Sequence, residues 1–378
     1  MKTRHALITG GAGFIGSHLA DHLLDRGFEV TVFDALLPQV HSDAERDADG
    51  WPVYLNPGVR RIQGHLLDAG RFEAALEGVT HLVHLAASVG VGQSMTHIVD
   101  YSRNNVMSAA LMLEVLSRGD HSVERMAVAS SMSIYGEGQY VDASGQPVAC
   151  GLRSREQLQR RQWELRAQGQ PLLPVPTRED KPLQPASIYA INKRDHEDMF
   201  LAVGRALAIP TIALRLFNVY GSRQALSNPY TGVAAIFISR LLNGQPPLVF
   251  EDGEQKRDFV HVLDVANAFA TVLDSDAAVW DVFNVGSGSA ISINSIATTL
   301  ARLLHRDIAP QILQQSRVGD VRHCFADVSK LRQAFGVMPR YGFEAGMPEL
   351  IDWVQKATKP VDRGAASLAE LHRSKLMV

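Results

Sequence analysis

The stretch that decides the fold is "HALITGGAGFIGSHLADHLLDRGFEVTVFD", residues 5–34. It opens with a short apolar run, residues 5–9, which is typical of a buried strand and leads directly into a glycine-rich turn. Apolar residues at helical spacing follow until Gly27, and a second strand is predicted over residues 28–34. A strand, a tight turn, a helix and another strand in this order predict a parallel sheet with helices on its faces.

The turn spaces three glycines as Gly10-x-x-Gly13-x-x-Gly16. Glycines let the backbone approach a pyrophosphate, and the start of the following helix offers N–H donors and a positive dipole. Asp34, at the end of the second strand, is placed to accept hydrogen bonds from adenosine ribose hydroxyls and to repel a 2′-phosphate. The pattern favours NAD over NADP, and its context argues against a structural turn followed by an unrelated aspartate.

The rest of the amino-terminal half continues the alternation of strands and helices. Further buried strands are predicted over residues 80–86, 124–130 and 209–217, and an apolar helical face lies between residues 106 and 116. The expected fold class is therefore α/β, with a doubly wound parallel sheet.

Composition limits the classes of partner. With 46% hydrophobic and 20% charged residues the chain can bury a large core, and a net charge of −3 gives no sign of a nucleic-acid surface. Two cysteines, Cys150 and Cys324, fit a reducing cytoplasm and, with His323, make a poor zinc signature, so no metal is expected. No signal peptide is apparent, and no run approaches the ~20 apolar residues that span a bilayer, so no membrane partner is expected.

A second motif, "SIYAINK" (residues 187–193), places Tyr189 and Lys193 on one face of a predicted helix. A free tyrosine has a pKa of ~10, but an adjacent ammonium and a positive nicotinamide would both lower it. Tyr189 could then take a proton from a sugar hydroxyl while a hydride leaves the same carbon. The strand ending "VASSMSIYGEG" (residues 128–138) supplies serines that could relay the proton. Such spacing is common by chance, and only its combination with the glycine turn makes it informative.

Together these motifs resemble the extended short-chain dehydrogenase/reductases of the NAD-dependent nucleotide-sugar epimerase/dehydratase family. The resemblance runs from about Lys2 to about Val354 and rests on motifs in family order: "TGGAGFIGSHL", "HLAA", "ASSMSIYG", "YAINK", "LRLFNVYG", "DGEQKRDFVHVLDVA", "FNVGSG" and "RVGDVRH". It implies a Rossmann domain over residues 1–220 with an insertion at 137–186, and a smaller carboxy-terminal α/β domain over 221–358 that binds the sugar nucleotide. Segments near 262–285 would return to the Rossmann domain, and residues 359–378 would form a tail.

The resemblance also implies residue roles. Tyr189 would be the base, Lys193 its electrostatic partner and Ser131 the catalytic hydroxyl. The implied NAD contacts are Gly10, Gly13, Phe14, Ile15, Gly16, Asp34, Leu66, Asp68, Leu85, Ala86, Ala87, Asn105, Ser130, Tyr189, Lys193 and Phe217. The implied substrate contacts are Val91, Gln93, Ser131, Met132, Ser133, Tyr189, Asn218, Arg257, Arg317 and Asp320, where an ion pair of Arg257 or Arg317 with Asp258 or Asp320 is the alternative.

The chain also departs from relatives at informative places. His65 stands where relatives often have an aspartate beside the adenine. Met132 and Ser133 replace the acid pair of the family's dehydratases, and Ser133 matches neither the glutamate of the decarboxylases nor the cysteine of the 3,5-epimerases. What remains is oxidation and re-reduction at C4, which gives the C4 epimer.

The insertion at 137–186 and the motifs "ASSMSIYGEG", "RQALSNPYTGV" and "RVGDVRHCFAD" make the chain most similar to the group that interconverts dTDP-L-rhamnose and dTDP-6-deoxy-L-talose. A UDP-hexose or UDP-uronate 4-epimerase, a nucleotide-sugar 4-ketoreductase and a non-catalytic dinucleotide sensor are the alternatives. The sugar is expected near Val89, Gly90, Val91, Gln93, Tyr220 and residues 224–232. The insertion is interpreted either as a lid or as a solvated helical excursion, and helices near 98–118 and 187–207 resemble the family's dimer interface.

Overall fold

The computed structural model describes residues 4–41, 44–226, 232–277, 279–317, 319–356 and 377. Seven parallel strands form its central sheet. They are β1 His5–Thr9, β2 Glu29–Asp34, β3 Arg60–Gln63, β4 His81–His84, β5 Arg125–Ser131, β11 Thr211–Leu216 and β16 Trp280–Val285.

The strands lie in the order β16-β11-β5-β4-β1-β2-β3. Strand order reverses between β1 and β4, and a doubly wound sheet binds its ligand in the crevice at the carboxyl ends of the strands at this point. This arrangement confirms the predicted Rossmann doubly wound fold.

The helices divide between the two faces of the sheet and the smaller carboxy-terminal unit. Their bounds are α1 Phe14–Asp25, α2 Pro38–His41, α3 Ala69–Ala75, α4 Val91–Ser94, α5 Ile98–Ser102, α6 Ser108–Ser117, α7 Arg155–Gln159, α8 Ile188–Ala206, α9 Val233–Leu242, α10 Val262–Leu273, α11 Ile293–Leu303, α12 Ser329–Phe335 and α13 Phe343–Lys356. A π-helical segment, Arg103–Met107, joins α5 to α6, and a 3₁₀ turn, Met132–Tyr135, follows β5.

Two hydrophobic cores cover the sheet. On one face α1 packs against α10, with Leu19 and Phe269 fully buried. On the other face α3, α6 and α8 bury residues such as Met112 and Phe200. Thus α10 and β16, from the later part of the chain, belong to the layers of the central sheet.

A third core, formed by α9, α11 and α13, defines the smaller unit. Short two-stranded ladders border it. They pair β12 Asn218–Tyr220 with β15 Phe259–His261, β13 Leu248–Val249 with β18 Gln311–Ile312, and β14 Lys256–Arg257 with β17 Ile291–Ser292. This unit lies over the carboxyl end of the sheet because β12 continues directly from β11.

The insertion is not a helical excursion, which was one of the two interpretations of its sequence. Its strands are β6 Gln139–Val141, β7 Pro147–Val148, β8 Arg166–Ala167, β9 Gln170–Pro171 and β10 Leu173–Val175. Only the five residues of α7 are α-helical. Tyr140, Leu165 and Leu172 form a small apolar core within the insertion, which is therefore a packed, β-rich part of the fold.

Most predicted bounds agree with the observed ones within one to three residues, but the expected helix 98–118 is interrupted by its π-helical segment. The predicted tail, 359–378, lies outside the described residues except for Met377, which bridges to Arg317. Within the described ranges, no helix has both the length and the apolarity needed to cross a bilayer.

Candidate active site

The backbone of the glycine turn is packed most tightly at Gly10 and Gly16 and less tightly at Gly13. A Cβ on Gly10 would lie 2.7 Å from the Ala86 nitrogen, and one on Gly16 would lie 2.5 Å from the Gly10 oxygen. A Cβ on Gly13 would meet only the Gly10 oxygen, at 3.3 Å. Gly13 is the N-cap of α1 and provides no side-chain cap, so the first turn of the helix can receive an anion.

Asp34 is held in place by the backbone at the end of β2. Its carboxylate accepts hydrogen bonds from the amides of Ala12 (3.0 Å) and Leu36 (2.9 Å). The His41 Nε2 lies 3.5 Å from the same carboxylate. Asp34 thus ties the strand end to the glycine turn and faces the cavity that the turn borders.

Ser131, Tyr189 and Lys193 meet at the carboxyl end of β5. The N-cap Ser187 accepts a hydrogen bond from the Ala190 amide, which starts α8 just before Tyr189. The Tyr189 hydroxyl is hydrogen-bonded to Ser131, and Lys193 Nζ donates to the Ala129 carbonyl at 2.9 Å. The predicted catalytic trio is therefore assembled on one strand end and one helix face.

Burial dominates the protonation of this trio. It raises the pKa of Tyr189 to about 12, with the Ser131 hydrogen bond acting in the opposite direction. It also lowers the pKa of Lys193 to about 8. The fall expected for the pKa of Tyr189 is thus absent from the protein alone, because desolvation outweighs the hydrogen bond with Ser131.

Met132 and Ser133 directly follow Ser131, in the 3₁₀ turn after β5. Ser133 Oγ donates to Ser131 Oγ at 3.0 Å, and its amide donates to the same oxygen at 3.2 Å. Ser131 is therefore oriented by Ser133. The sequence does not predict this contact, because its pattern indicates Ser133 as a substrate contact and as the replacement of an acid.

One cavity of about 470 Å³ contains these groups. Of the predicted contacts it is lined by Gly10, Gly13, Phe14, Ile15, Gly16, Asp34, Leu66, Leu85, Ala86, Ala87, Val91, Ser130, Ser131, Met132, Ser133, Tyr189, Lys193, Phe217 and Asn218. His65, Val89, Gly90, Tyr220, Gln224, Ala225 and Gly232 line it as well, whereas residues 227–231 of the predicted sugar loop lie outside the described residues.

Three predicted contacts have structural roles behind the wall. Asp68 caps α3 by accepting a hydrogen bond from the Arg71 amide. Asn105 holds both backbone groups of the cavity residue Ser88, at 2.7 and 3.2 Å. Gln93 accepts hydrogen bonds from Gln39 and Tyr101. None of the three is among the residues that line the cavity. The described geometry therefore places none of them in direct contact with a ligand there.

The three predicted polar contacts of the smaller unit also lie off the described wall. Arg257 donates to the carbonyls of Lys256, Val321 and Arg322. A guanidinium has five N–H groups, so donors remain for a phosphate. Arg317 pairs with Asp320 at 2.7 Å, the alternative that the sequence had left open, and lies over the Phe250 ring.

Asp258, the alternative ion-pair partner of Arg257, has a different role. It accepts hydrogen bonds from Ser287, Gly288 and Ala326 and makes no pair with Arg257 among the described contacts. The sequence also missed His41, a buried cavity residue, because residues 37–41 have no pattern that separates them from a surface loop.

Comparison with known proteins gives the family. The chain matches the model of the NAD dependent epimerase/dehydratase family over residues 6–153 and 166–286. It is 35% identical over 351 residues to dTDP-L-rhamnose 4-epimerase from Burkholderia thailandensis, a match that covers 92% of this chain and 94% of that protein. The chain belongs to the NAD-dependent epimerase/dehydratase family.

Other relatives of this epimerase differ in their named substrates. UDP-glucuronate 4-epimerase 3 from Arabidopsis thaliana is 26% identical, over 93% of this chain and 77% of that protein. The structure of UDP-glucose 4-epimerase from Thermus thermophilus in complex with NAD is 29% identical with a TM-score of 0.72, over 94% of this chain and all of that one (100%).

The epimerase is an isomerase, and its cofactor is NAD. The residues present fit this cofactor, because the glycine turn, the uncapped first turn of α1 and the carboxylate of Asp34 border the same cavity as Tyr189. The individual roles of the residues stay predictions.

Proposed function

We propose that this epimerase interconverts dTDP-L-rhamnose and dTDP-6-deoxy-L-talose. The observation that carries the proposal is the set of valine and methionine side chains in the wall of the cavity that contains the trio, namely Val89, Val91, Met132, Val219 and Val233. A 6-deoxy sugar presents a methyl group at this wall, whereas a hydroxymethyl or carboxylate would need a polar partner. The relative with 35% identity is named for the same substrate.

Charge around the cavity supports a neutral sugar. The described lining residues include one lysine, Lys193, and no arginine. The Lys193 ammonium donates a hydrogen bond to the Ala129 carbonyl. The histidines in the described wall, His41 and His65, line the end near Asp34 and Leu66. A uronate carboxylate would therefore compete for the ammonium that serves Tyr189, which disfavours the UDP-uronate alternative.

The chemistry follows from the trio. Tyr189, as phenolate, takes the proton of the C4 hydroxyl, and Ser131 hydrogen-bonds the same sugar oxygen and orients it. NAD, held by the glycine turn and Asp34, would supply the hydride acceptor and donor for C4. Tyr189 gives its proton back to the oxygen of the 4-keto sugar after the sugar has presented its other face. The sugar is epimerised, and no net oxidation occurs.

The test is incubation of the purified protein with dTDP-L-rhamnose and detection of the C4 epimer by NMR. We expect signals of dTDP-6-deoxy-L-talose with no net change in reduced-cofactor absorbance. Turnover of UDP-hexoses or UDP-uronates in place of the dTDP-sugar would contradict the substrate and keep the reaction class. Net consumption of reduced cofactor would instead identify a 4-ketoreductase.

The mechanism has its own test in Tyr189→Phe, which keeps the ring and removes the proton acceptor. Turnover should fall by about 10²- to 10⁴-fold, with NAD still bound. Tyr341→Phe is the matched control, because Tyr341 stacks on His261 in the smaller unit. Full activity of Tyr189→Phe would overturn the mechanism, and so would an equal loss in both variants.

A further inference from the structure

The insertion buries a group of charged side chains against the smaller unit, away from the reacting atoms. We call this group the insertion cluster. Its members are Glu137, Arg153 and Glu164 from the insertion and Glu251, Asp252, Arg322 and His323 from the smaller unit.

Arg153 joins the two sides of the insertion cluster. Its side chain is 1% exposed and pairs with Glu251 at 2.8 Å. The same guanidinium donates to the Asp320 carbonyl at 3.1 Å, and its Nε lies 3.5 Å from Glu137. One insertion side chain thus holds a backbone group of the predicted substrate segment.

Arg322 makes the reciprocal connection from the smaller unit. It donates to Glu164 of the insertion at 2.9 and 2.5 Å, and to Glu251 and Asp252 at 2.7–3.0 Å. Burial would raise the pKa of Glu164, but hydrogen bonds from His323 and Arg322 outweigh it and hold the pKa at about 2. Glu164 therefore stays ionised as the partner of this arginine.

Glu137 binds the backbone itself. Its carboxylate accepts hydrogen bonds from the amides of Arg322, at 2.7 and 2.8 Å, and of His323, at 3.4 Å. Next to it, the Gly138 amide donates to the His323 carbonyl, and a Cβ on Gly138 would lie 2.6 Å from that oxygen. The first residues of the insertion are therefore in van der Waals contact with the smaller unit.

The segment held in this way packs against residues at the catalytic end of the cavity. Within residues 319–323, Val321 packs in the same apolar cluster as the cavity residue Met132. A Cβ on Gly319 would touch the carbonyl of Ala186, which directly precedes the N-cap of the catalytic helix α8. A shift of residues 319–323 would change the wall beside Ser131 and Tyr189.

We propose that Arg153 and Glu137 are positioning residues for the substrate: they fix residues 319–323 so that this segment receives the nucleoside diphosphate. The inference rests on the proposed function and on the predicted contacts of Arg317 and Asp320 with the nucleotide. Buried ion pairs hold their geometry strictly, because a partner that moves away leaves an uncompensated buried charge. The insertion therefore acts as a fixed brace and neither opens as a lid nor lies free in solvent.

The experiment compares Arg153→Met with Arg155→Met, the same change at an exposed position of α7 in the same segment. The measurements are KM and kcat, affinity for dTDP and for UDP by calorimetry, NAD content and thermal unfolding. Arg153→Met should raise KM and weaken binding of the nucleotide that the wild type prefers by about 10- to 100-fold. NAD content and kcat should change far less, and Arg153→Lys should restore part of the affinity.

Equal KM and nucleotide affinity in Arg153→Met and Arg155→Met would overturn the inference, even if the unfolding temperature of the former fell. If Arg153→Met does not fold, Glu251→Gln removes the charge of the same ion pair at constant shape, and the same results apply to it. A wild type that turns over only UDP-sugars contradicts the proposed substrate. The two variants are then compared by their affinity for UDP, and this comparison still tests whether Arg153 positions the nucleotide-binding segment.

Discussion

At the scale of single residues, burial disfavours the charged forms of two members of the trio, the Tyr189 phenolate and the Lys193 ammonium. Burial raises the pKa of Tyr189 to about 12 and lowers the pKa of Lys193 to about 8. The working pair, a phenolate beside an ammonium, is therefore disfavoured by desolvation and requires further positive charge near the phenol. The cationic nicotinamide ring of NAD⁺ provides such a charge when the cofactor is bound.

This balance predicts the pH dependence of Lys193→Met. Tyr189 acts when deprotonated, so the rate rises with pH towards the apparent pKa of this tyrosine. Removal of the ammonium should raise that pKa by at least about one unit, which lowers the rate at neutral pH about tenfold per unit. The measurement is a kcat profile against pH for both proteins.

The control for this profile is Lys330→Met, because Lys330 pairs with Asp281 at the sheet edge. Its profile should match that of the wild type. A Lys193→Met profile with an unchanged midpoint would show that Lys193 does not tune Tyr189.

At the scale of elements, the glycine turn separates folding from cofactor binding. A Cβ on Gly16 would clash with the Gly10 oxygen, so Gly16→Ala should destabilise the fold by about 1–3 kcal/mol. A Cβ on Gly13 would lie 3.3 Å from the same oxygen, a tight contact that a shift of a few tenths of an ångström relieves. Gly13→Ala should therefore lower the unfolding temperature far less than Gly16→Ala and weaken NAD binding at least about tenfold.

The measurement is thermal unfolding with and without added NAD, together with the NAD content of the purified protein. Gly151→Ala is the control, since a Cβ there would meet no atom within 4 Å. Loss of fold in Gly13→Ala, or intact NAD binding in both turn variants, would contradict the division of roles.

The same elements explain how far the sequence could predict this protein. Strands such as β1 and β2 are short continuous apolar runs, and the glycine turn lies between them in one short stretch. The fold and the identity of the cofactor can therefore be predicted from local sequence. The brace that the insertion forms cannot be predicted in this way, because Glu137 and Arg322 are 185 residues apart in the sequence and an arginine-rich stretch is normally solvated. Only the fold shows that Arg153 is buried and paired.

At the scale of the whole molecule, exposed apolar side chains gather on two helices that pack together. Val99 is 77% exposed, Met107 53%, Ile98 48% and Ile191 42%. The first three lie between the start of α5 and the end of the π-helical segment, Ile191 lies on α8, and these elements contact each other. An apolar surface of this kind is typical of a protein interface.

We therefore expect a homodimer in which α5, α6 and α8 pack against the same helices of a second copy, an isologous arrangement. The double variant Val99→Asp with Ile191→Asp places charges in the buried centre of that interface, and its mass by light scattering should be half that of the wild type. Leu173→Asp is the matched control, since Leu173 is 56% exposed but lies on β10 of the insertion, and it should leave the mass unchanged. A wild type that stays monomeric at all concentrations would contradict this interface, and so would a double variant with the mass of the dimer. If the double variant is monomeric and still binds NAD, the exposed helices serve assembly, and each subunit contains a complete cofactor site.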